Sequence, residues 1–186
     1  METTKLLSNL LELTQQIKQE AIAFQELPDF LLYTRPQPAS WSVLECIEHL
    51  NRYGYFYIPE ITIRISTFKY TTPSPIFKSG FLGNHFAKSM LPKAKLNKMK
   101  TFKSMNPSTS HVDREVLTVF IQQQDSLIAL LEQAKNINLN QTKTSISISK
   151  WIKLKLGDTL KVVVFHNLRH LVQMQNILNN LKEYGG

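Results

Sequence analysis

The sequence predicts an all-α protein: a four-helix bundle with a long irregular connection between the second and third helices. Apolar residues recur at spacings of three and four along four long segments, which is the period of one helical face. Only 6 Gly and 8 Pro occur in 186 residues, which argues against a loop-rich or all-β fold. The length fits one domain covering residues 1–186, with enough chain to bury a substantial core.

The first helix is predicted over residues 5–26 and the second over 42–68. The first apolar face consists of Leu6, Leu10, Leu13, Ile17, Ala21 and Phe24. "LPDF" and "TRPQP" then interrupt the pattern. Ser42 and Glu45 have the spacing of a capping box at the start of the second helix. Pro59 lies inside this helix, where its missing N–H and its ring predict a kink or a break.

The connection from about residue 70 to 110 shows no long period, apart from a candidate short helix around "NHFAKSML". Connections of this length are usually functional or partly disordered. Six lysines crowd its second half: Lys88, Lys93, Lys95, Lys98, Lys100 and Lys103. Because they are accompanied by no Arg and by few aromatic residues, they predict a solvated loop and no specific nucleic-acid binding.

The third and fourth helices are predicted over residues 111–135 and 158–183. Ser110 and Asp113 mark the start of the third, and Asp158 is a good N-cap for the fourth. Between them, "TKTSISISKW" alternates with the period of a strand. This strand-like stretch has no evident partner, so it predicts a short extended link and not a sheet.

The composition also indicates the cellular compartment and the kinds of partner to be expected. The net charge of +8 favours anionic partners in general. A single cysteine, Cys46, excludes an internal disulfide framework and fits a reducing compartment. No apolar run approaches the length of a membrane span, and the N-terminus lacks the pattern of a secretory signal. We therefore expect a cytoplasmic protein with no membrane association.

Two histidines interrupt the apolar pattern of the fourth helix. His166 and His170 lie one helical turn apart, on a face shared with Val163, Ile177 and other inward positions. Such a pair can chelate one metal ion, and His49 on the second helix is the obvious third ligand. Three nitrogens would leave at least one coordination position open, as in catalytic zinc sites.

The pair alone also has a simpler interpretation. Histidines spaced by four on one helix are more often a polar surface pair or a buried pair satisfied by hydrogen bonds. The third histidine, on another inward stripe, favours the metal without excluding that alternative.

Two stretches resemble the DinB-like (DinB/YfiT) superfamily. "WSVLECIEHLNRYGYFYIPEI" is similar to its second helix, with a Trp-Ser entry followed by a histidine, and "FHNLRHLVQMQNIL" is similar to its closing His-x-x-x-His-x-x-Gln helix. Residues 70–110 match no motif of that superfamily. The resemblance implies a four-helix bundle and a divalent-metal site formed by His49, His166 and His170, with zinc or nickel as the expected ion. It also makes a homodimer plausible.

The resemblance implies a site more clearly than a reaction. The first hypothesis is a metal-dependent enzyme that acts on a small molecule. It would be either a hydrolase or a transferase that uses a low-molecular-weight thiol as its cosubstrate. The alternative is a non-catalytic stress-response or binding module, in which the three histidines hold a structural metal or none. No catalytic residue is identified: Glu48 and Glu60 are candidate bases only by their proximity in sequence.

Other residues near the three histidines have ordinary interpretations. Cys46 is predicted to be a small buried residue, not a ligand. His85 and His111 are expected to be exposed. Glu45 is expected to serve the capping box, and Tyr53 and Gln173 either support the ligands or simply pack beside them.

Overall fold

The structure is a computed structural model that describes residues 1–67, 72–92 and 100–184. Its helices are α1 (Thr3–Gln25), the short α2 (Asp29–Tyr33), α3 (Val43–Ser66), α4 (Phe81–Met90), α5 (Glu115–Gln133) and α6 (Leu156–Tyr184). Two 3₁₀ turns lie at Lys103–Met105 and Ala134–Asn136. Strands β1 (Lys143–Ile146) and β2 (Ser149–Lys155) form an antiparallel hairpin.

The four long helices are those that the periodicity predicts. α1 and α3 each pack against both α5 and α6, so the four helices close around a common core. Each contributes its predicted apolar stripe, and residues such as Leu10, Ile47, Phe120 and Leu160 are almost completely buried. Burying such stripes supplies most of the stability of an amphipathic helix. The bundle is therefore a direct product of the spacing of apolar residues.

The start of α3 confirms the predicted capping box. The Ser42 side chain accepts a hydrogen bond from the Glu45 backbone N–H, and the Glu45 carboxylate accepts one from the Ser42 N–H. Of the kink or break predicted at Pro59, the break is wrong, because α3 continues through this residue to Ser66 as a single helix. The kink stays a prediction. Pro59 is exposed, so its ring is accommodated on the solvent side of the bundle.

The prediction of an isolated extended link is wrong, because the segment after α5 folds into a hairpin. Thr144, Ile146 and Leu154 face the bundle and are buried, which explains the alternation in the sequence. The hairpin runs directly into α6, so this helix begins at Leu156. Asp158, predicted as the N-cap, lies instead inside the first turn, where its Oδ2 accepts a hydrogen bond from the Gly80 N–H at 2.8 Å.

The described part of the connection between α3 and α5 contains a helix. The expected short helix is α4, and α4 packs against α6. Gly83 makes this approach close, since a Cβ there would lie 2.4 Å from the Asp158 Cγ. The lysines Lys93, Lys95 and Lys98 lie outside the described residues. Among the residues that are described, no helix is both long and apolar enough to cross a membrane.

Candidate metal centre

Three imidazoles meet in the interior between α3 and α6. The Nε2 atom of His166 lies 3.3 Å from the Nε2 of His49 and 3.2 Å from the Nε2 of His170. One ligand atom from each of the three rings lies within 4.8 Å of the other two. Nitrogens bound to one zinc ion at about 2.0–2.1 Å are roughly 3–3.5 Å apart. The arrangement therefore has the dimensions of a three-histidine site, and metal ligation itself stays a prediction.

A backbone carbonyl fixes the tautomer of His49. The Nδ1 atom lies 2.7 Å from the carbonyl oxygen of Met105, and only an N–H can donate to that oxygen. The neutral ring then carries its lone pair on Nε2, the atom that faces His166. Metal-binding histidines commonly donate their second nitrogen in this way, which orients the ring and raises its basicity.

Arg52 ties the segment that supplies this carbonyl to α3. Its guanidinium donates to the carbonyls of Ser104 at 3.2 Å and Asn106 at 2.8 Å, and to the Ser110 hydroxyl at 2.5 Å. Its Nε also donates to Glu48 at 2.8 Å. These bonds bracket Met105 on both sides, so Arg52 holds the carbonyl in place against His49.

Aromatic side chains enclose the three rings. The Trp41 ring centroid is 4.8 Å from that of His49 and 6.1 Å from that of His170, and its Nε1–H donates to the Ser108 hydroxyl at 3.0 Å. On the other side, the Tyr53 ring lies 4.7 Å from His166. Apolar ring faces restrict the movement of the imidazoles and exclude water from most of their surface.

Burial keeps the three histidines neutral at neutral pH. It lowers the pKa of His49 to about 4, although the hydrogen bond to Met105 acts in the opposite direction. It lowers the pKa of His166 to about 3, and the pKa of His170 is lowered well below the ordinary value, with Gln173 opposing the change. Neutral imidazole is the form that binds zinc, nickel, copper or iron, so the donor set fits a divalent ion.

The three rings line a cavity of about 970 Å³. Its walls also include the hairpin at Ile146–Ile148, His85 and Phe86 of α4, and residues 100–102. Gln37, His85, Lys100 and Phe102 line the cavity and are exposed, so it opens to solvent. Residues from both the predicted connection and the unforeseen hairpin thus enclose the histidines.

Three other residues considered from the sequence, Cys46, Glu48 and Glu60, do not belong to the histidine cluster. Cys46 is fully buried, the pKa of its thiol is raised by that burial, and it is not part of the histidine cluster. Glu48 and Glu60 are ion-paired with Arg52 and Arg64 and do not line the cavity.

The remaining candidates also have clear positions. Glu45 pairs with Arg35 as well as completing the capping box. His111 is exposed, as expected, and so is His85 at the cavity rim. The Tyr53 ring packs on that of His166, and a hydrogen bond with Gln173 opposes the lowering of the His170 pKa.

These features define a class of protein: a helical bundle with a three-histidine cluster exposed to an interior cavity. The chain belongs to the DinB superfamily, whose family model matches residues 12–174. The family resemblance in the sequence is therefore confirmed. No curated protein matches the sequence significantly.

The fold is also similar to that of a solved structure, YfiT from Bacillus subtilis. The two share 15% sequence identity with a TM-score of 0.57, over 97% of this chain and 87% of YfiT. YfiT is described as a probable metal-dependent hydrolase with an unusual four-helix bundle topology. At this identity the likeness confirms the predicted bundle fold.

Proposed function

We propose that the protein is a divalent-metal-dependent enzyme that acts on a small molecule, with His49, His166 and His170 as its metal ligands. The observation that carries the proposal is the convergence of three Nε2 atoms, 3.2 and 3.3 Å apart in two of the pairs, on the wall of an open cavity. Three protein ligands and an accessible fourth position are characteristic of catalytic sites and not of closed structural ones. Zinc and nickel are the ions that we expect.

Hydrolysis is the reaction that the site supports best. A divalent ion held by His49, His166 and His170 would supply Lewis-acid polarisation and would lower the pKa of bound water. The chain itself holds the ligands in their neutral form and restricts water around them. The description of YfiT as a probable hydrolase supports the same reaction for a protein of this fold.

Other residues of the cavity have more limited roles. Among the described residues, no carboxylate lines the cavity, so the side chains offer no carboxylate as general base. Burial raises the pKa of Tyr53 to about 12, so its phenol stays protonated and is available as a hydrogen-bond donor.

Transfer to a low-molecular-weight thiol is the second candidate, and the size of the cavity favours it. A volume of about 970 Å³ is near the upper end of the range for small-molecule pockets, which leaves room for a cosubstrate beside the substrate. The non-catalytic alternative has less support, because a structural or empty histidine cluster needs no access to solvent.

The test begins with metal analysis of the full chain, purified without a His-tag or a nickel column. Metal-free protein is then titrated with Zn²⁺ and Ni²⁺ by calorimetry, and ester and amide substrates are assayed with and without a low-molecular-weight thiol. We expect one ion per chain and metal-dependent hydrolysis without thiol. Turnover only with thiol would establish the second candidate.

His85→Ala is the matched control for His166→Ala, since His85 also lines the cavity but is exposed at its rim. Loss of metal in the His166 variant alone supports the proposal. Absence of metal binding, or binding that survives in the His166 variant, contradicts it.

A further inference from the structure

The cavity wall contains no negatively charged side chain among the described residues. Its polar groups are imidazoles, amides and hydroxyls, together with the cationic Lys100 and Arg169. The neutral amide side chains of Gln123, Gln124 and Asn167 also line the cavity. The Asn167 Nδ2 donates to the Gln124 Oε1 at 3.1 Å. In the part of the chain that the structure describes, the site therefore has cations and neutral dipoles but no anion of its own.

The stretch of sequence that contributes α4 and residues 100–108 shows the same bias. Residues 61–112 include no Asp or Glu, whereas they include nine Lys and Arg residues. This stretch contributes α4 and residues 100–108, which line one side of the cavity. The bias holds for the whole stretch by sequence, including its residues outside the described ranges.

Four acids on α3 and α6, the helices that carry the three histidines, are each paired with a cation. Glu45 is bound by Arg35, Glu48 by Arg52 and Glu60 by Arg64. Asp158 accepts from the Gly80 N–H and lies 3.8 Å from the Lys161 Nζ. None of these carboxylates lines the cavity, so none is available to balance a positive charge inside it.

We infer that the cavity takes a small anionic ligand, a molecule bearing a carboxylate or a phosphate group. The inference deepens the proposed function and rests on it in taking this ligand to be the substrate. The three neutral imidazoles contribute no negative charge, so Lys100 at the rim gives the described cavity wall an excess of positive charge, to which a bound divalent ion would add. An anionic ligand balances this excess and removes the cost of holding uncompensated charge in a partly enclosed site. The same field attracts anions toward the mouth of the cavity.

Calorimetry with a matched set of probes tests this inference on the full chain. Phenylacetate and phenyl phosphate carry the charge, and phenylacetamide is the neutral counterpart of phenylacetate. Each probe is titrated into metal-free and into zinc-loaded protein, because any carboxylate can bind an exposed zinc ion. We expect both anions to bind about fivefold more tightly than the amide in metal-free protein, and by a larger factor in zinc-loaded protein.

Two charge-reversal variants test whether the preference for anions arises at the cavity. Lys100→Glu should weaken binding of the anions by about fivefold and leave the amide unchanged. Lys5→Glu makes the same change in net charge on the exposed face of α1, away from the cavity, and should leave all three affinities unchanged. Equal weakening by the two reversals would assign the preference to the overall charge and overturn the inference.

The remaining outcomes separate the inference from the proposed function. Equal affinity for the charged and neutral probes, no binding of any probe, or a preference seen only with zinc overturns the inference and leaves the metal site standing. A preference in a chain that binds no zinc supports the inference while the proposed function fails.

Discussion

The Nε2 atoms of His49 and His166 lie 3.3 Å apart, although 117 residues separate them in the sequence. One belongs to α3 and the other to α6, and these helices pack against each other. The histidine cluster thus exists only when the bundle is formed. An ion that binds it binds the native state alone and stabilises that state by mass action.

Replacing His170 by Ala should remove most of the metal affinity and leave the fold intact. The loss should be at least about 100-fold, since one of three ligands disappears and supporting contacts alone are worth about 10–100-fold. Calorimetry with Zn²⁺ measures it, and circular dichroism checks that the helices remain. His111→Ala, at an exposed position, is the control. Unchanged zinc affinity in the His170 variant would exclude it as a ligand.

The metal-free protein should lose stability as the pH falls from 6.5 toward 5. In the unfolded chain histidine has a pKa near 6.5, whereas in the native state the pKa of His49 is about 4 and that of His166 about 3. The unfolded state therefore binds more protons in this window, so the free energy of unfolding decreases with decreasing pH. Above pH 6.5 this contribution is fully present.

Urea unfolding at several pH values measures this dependence. The range above pH 5 separates the histidines from Glu45 and Glu60, whose lowered pKa values make their contribution disappear only at more acidic pH. His166→Gln should have a shallower dependence. An identical slope in the variant would show that His166 is not buried as a neutral ring.

Arg52→Gln should lower zinc affinity by about 10–100-fold, because it releases the segment that carries the Met105 carbonyl. Arg64→Gln is the matched control: it lies on the same helix and also pairs with a glutamate four residues earlier. The visible spectrum of Co²⁺-loaded protein should change in the Arg52 variant alone. Equal effects of the two substitutions would mean that the salt bridge stabilises α3 without positioning His49.

Gly83→Ala should destabilise the protein by roughly 1–3 kcal/mol through overpacking. At an unobstructed position in a helix, replacing Gly by Ala raises the free energy of unfolding by about 0.5–1 kcal/mol. A decrease would therefore indicate a steric clash. The new methyl group would meet Asp158, whose Cβ lies 2.5 Å from its position. Gly80→Ala is the control, since its nearest neighbour is 3.5 Å away. Thermal unfolding that places Gly83→Ala above the wild type would contradict the close packing of α4 on α6.

Cys46→Ala should retain zinc binding. The thiol is buried, the pKa is raised by that burial, and the side chain stands apart from the histidine cluster. In the native wild type the thiol should also fail to react with Ellman's reagent until the chain is unfolded. Rapid reaction in the folded state, or loss of zinc from the variant, would place Cys46 at the site.

The four long helices could be predicted because each one buries a regular stripe, such as Ile47, Leu50, Ile61 and Ile65 on α3. The hairpin could not, because Ser147 and Ile148 connect its strands without the Asn-Gly or Asp-Gly signature of a tight turn. The start of α5 could be predicted only approximately. Asp113 accepts from the Glu115 N–H as an N-terminal signal should, but the helix begins only at Glu115.

The candidate site could also be predicted only in part from the sequence. His49, His166 and His170 could be grouped because all three lie on inward faces of helices whose period is visible. The side of the cavity formed by α4 and the hairpin depends on tertiary contacts such as the close approach of Gly83 to Asp158. No periodic pattern in the sequence records these contacts.

Met105 supports His49 through its main chain, so the identity of its side chain has little bearing on that support. A saturation scan of position 105 should score most substitutions as tolerated, and relatives could differ there freely while keeping the same geometry. Proline at position 106 would be a different matter, because it restricts the backbone of the residue before it. A ranking of positions by mutational sensitivity would therefore not identify the Met105 carbonyl oxygen as one of the atoms that hold His49 in place.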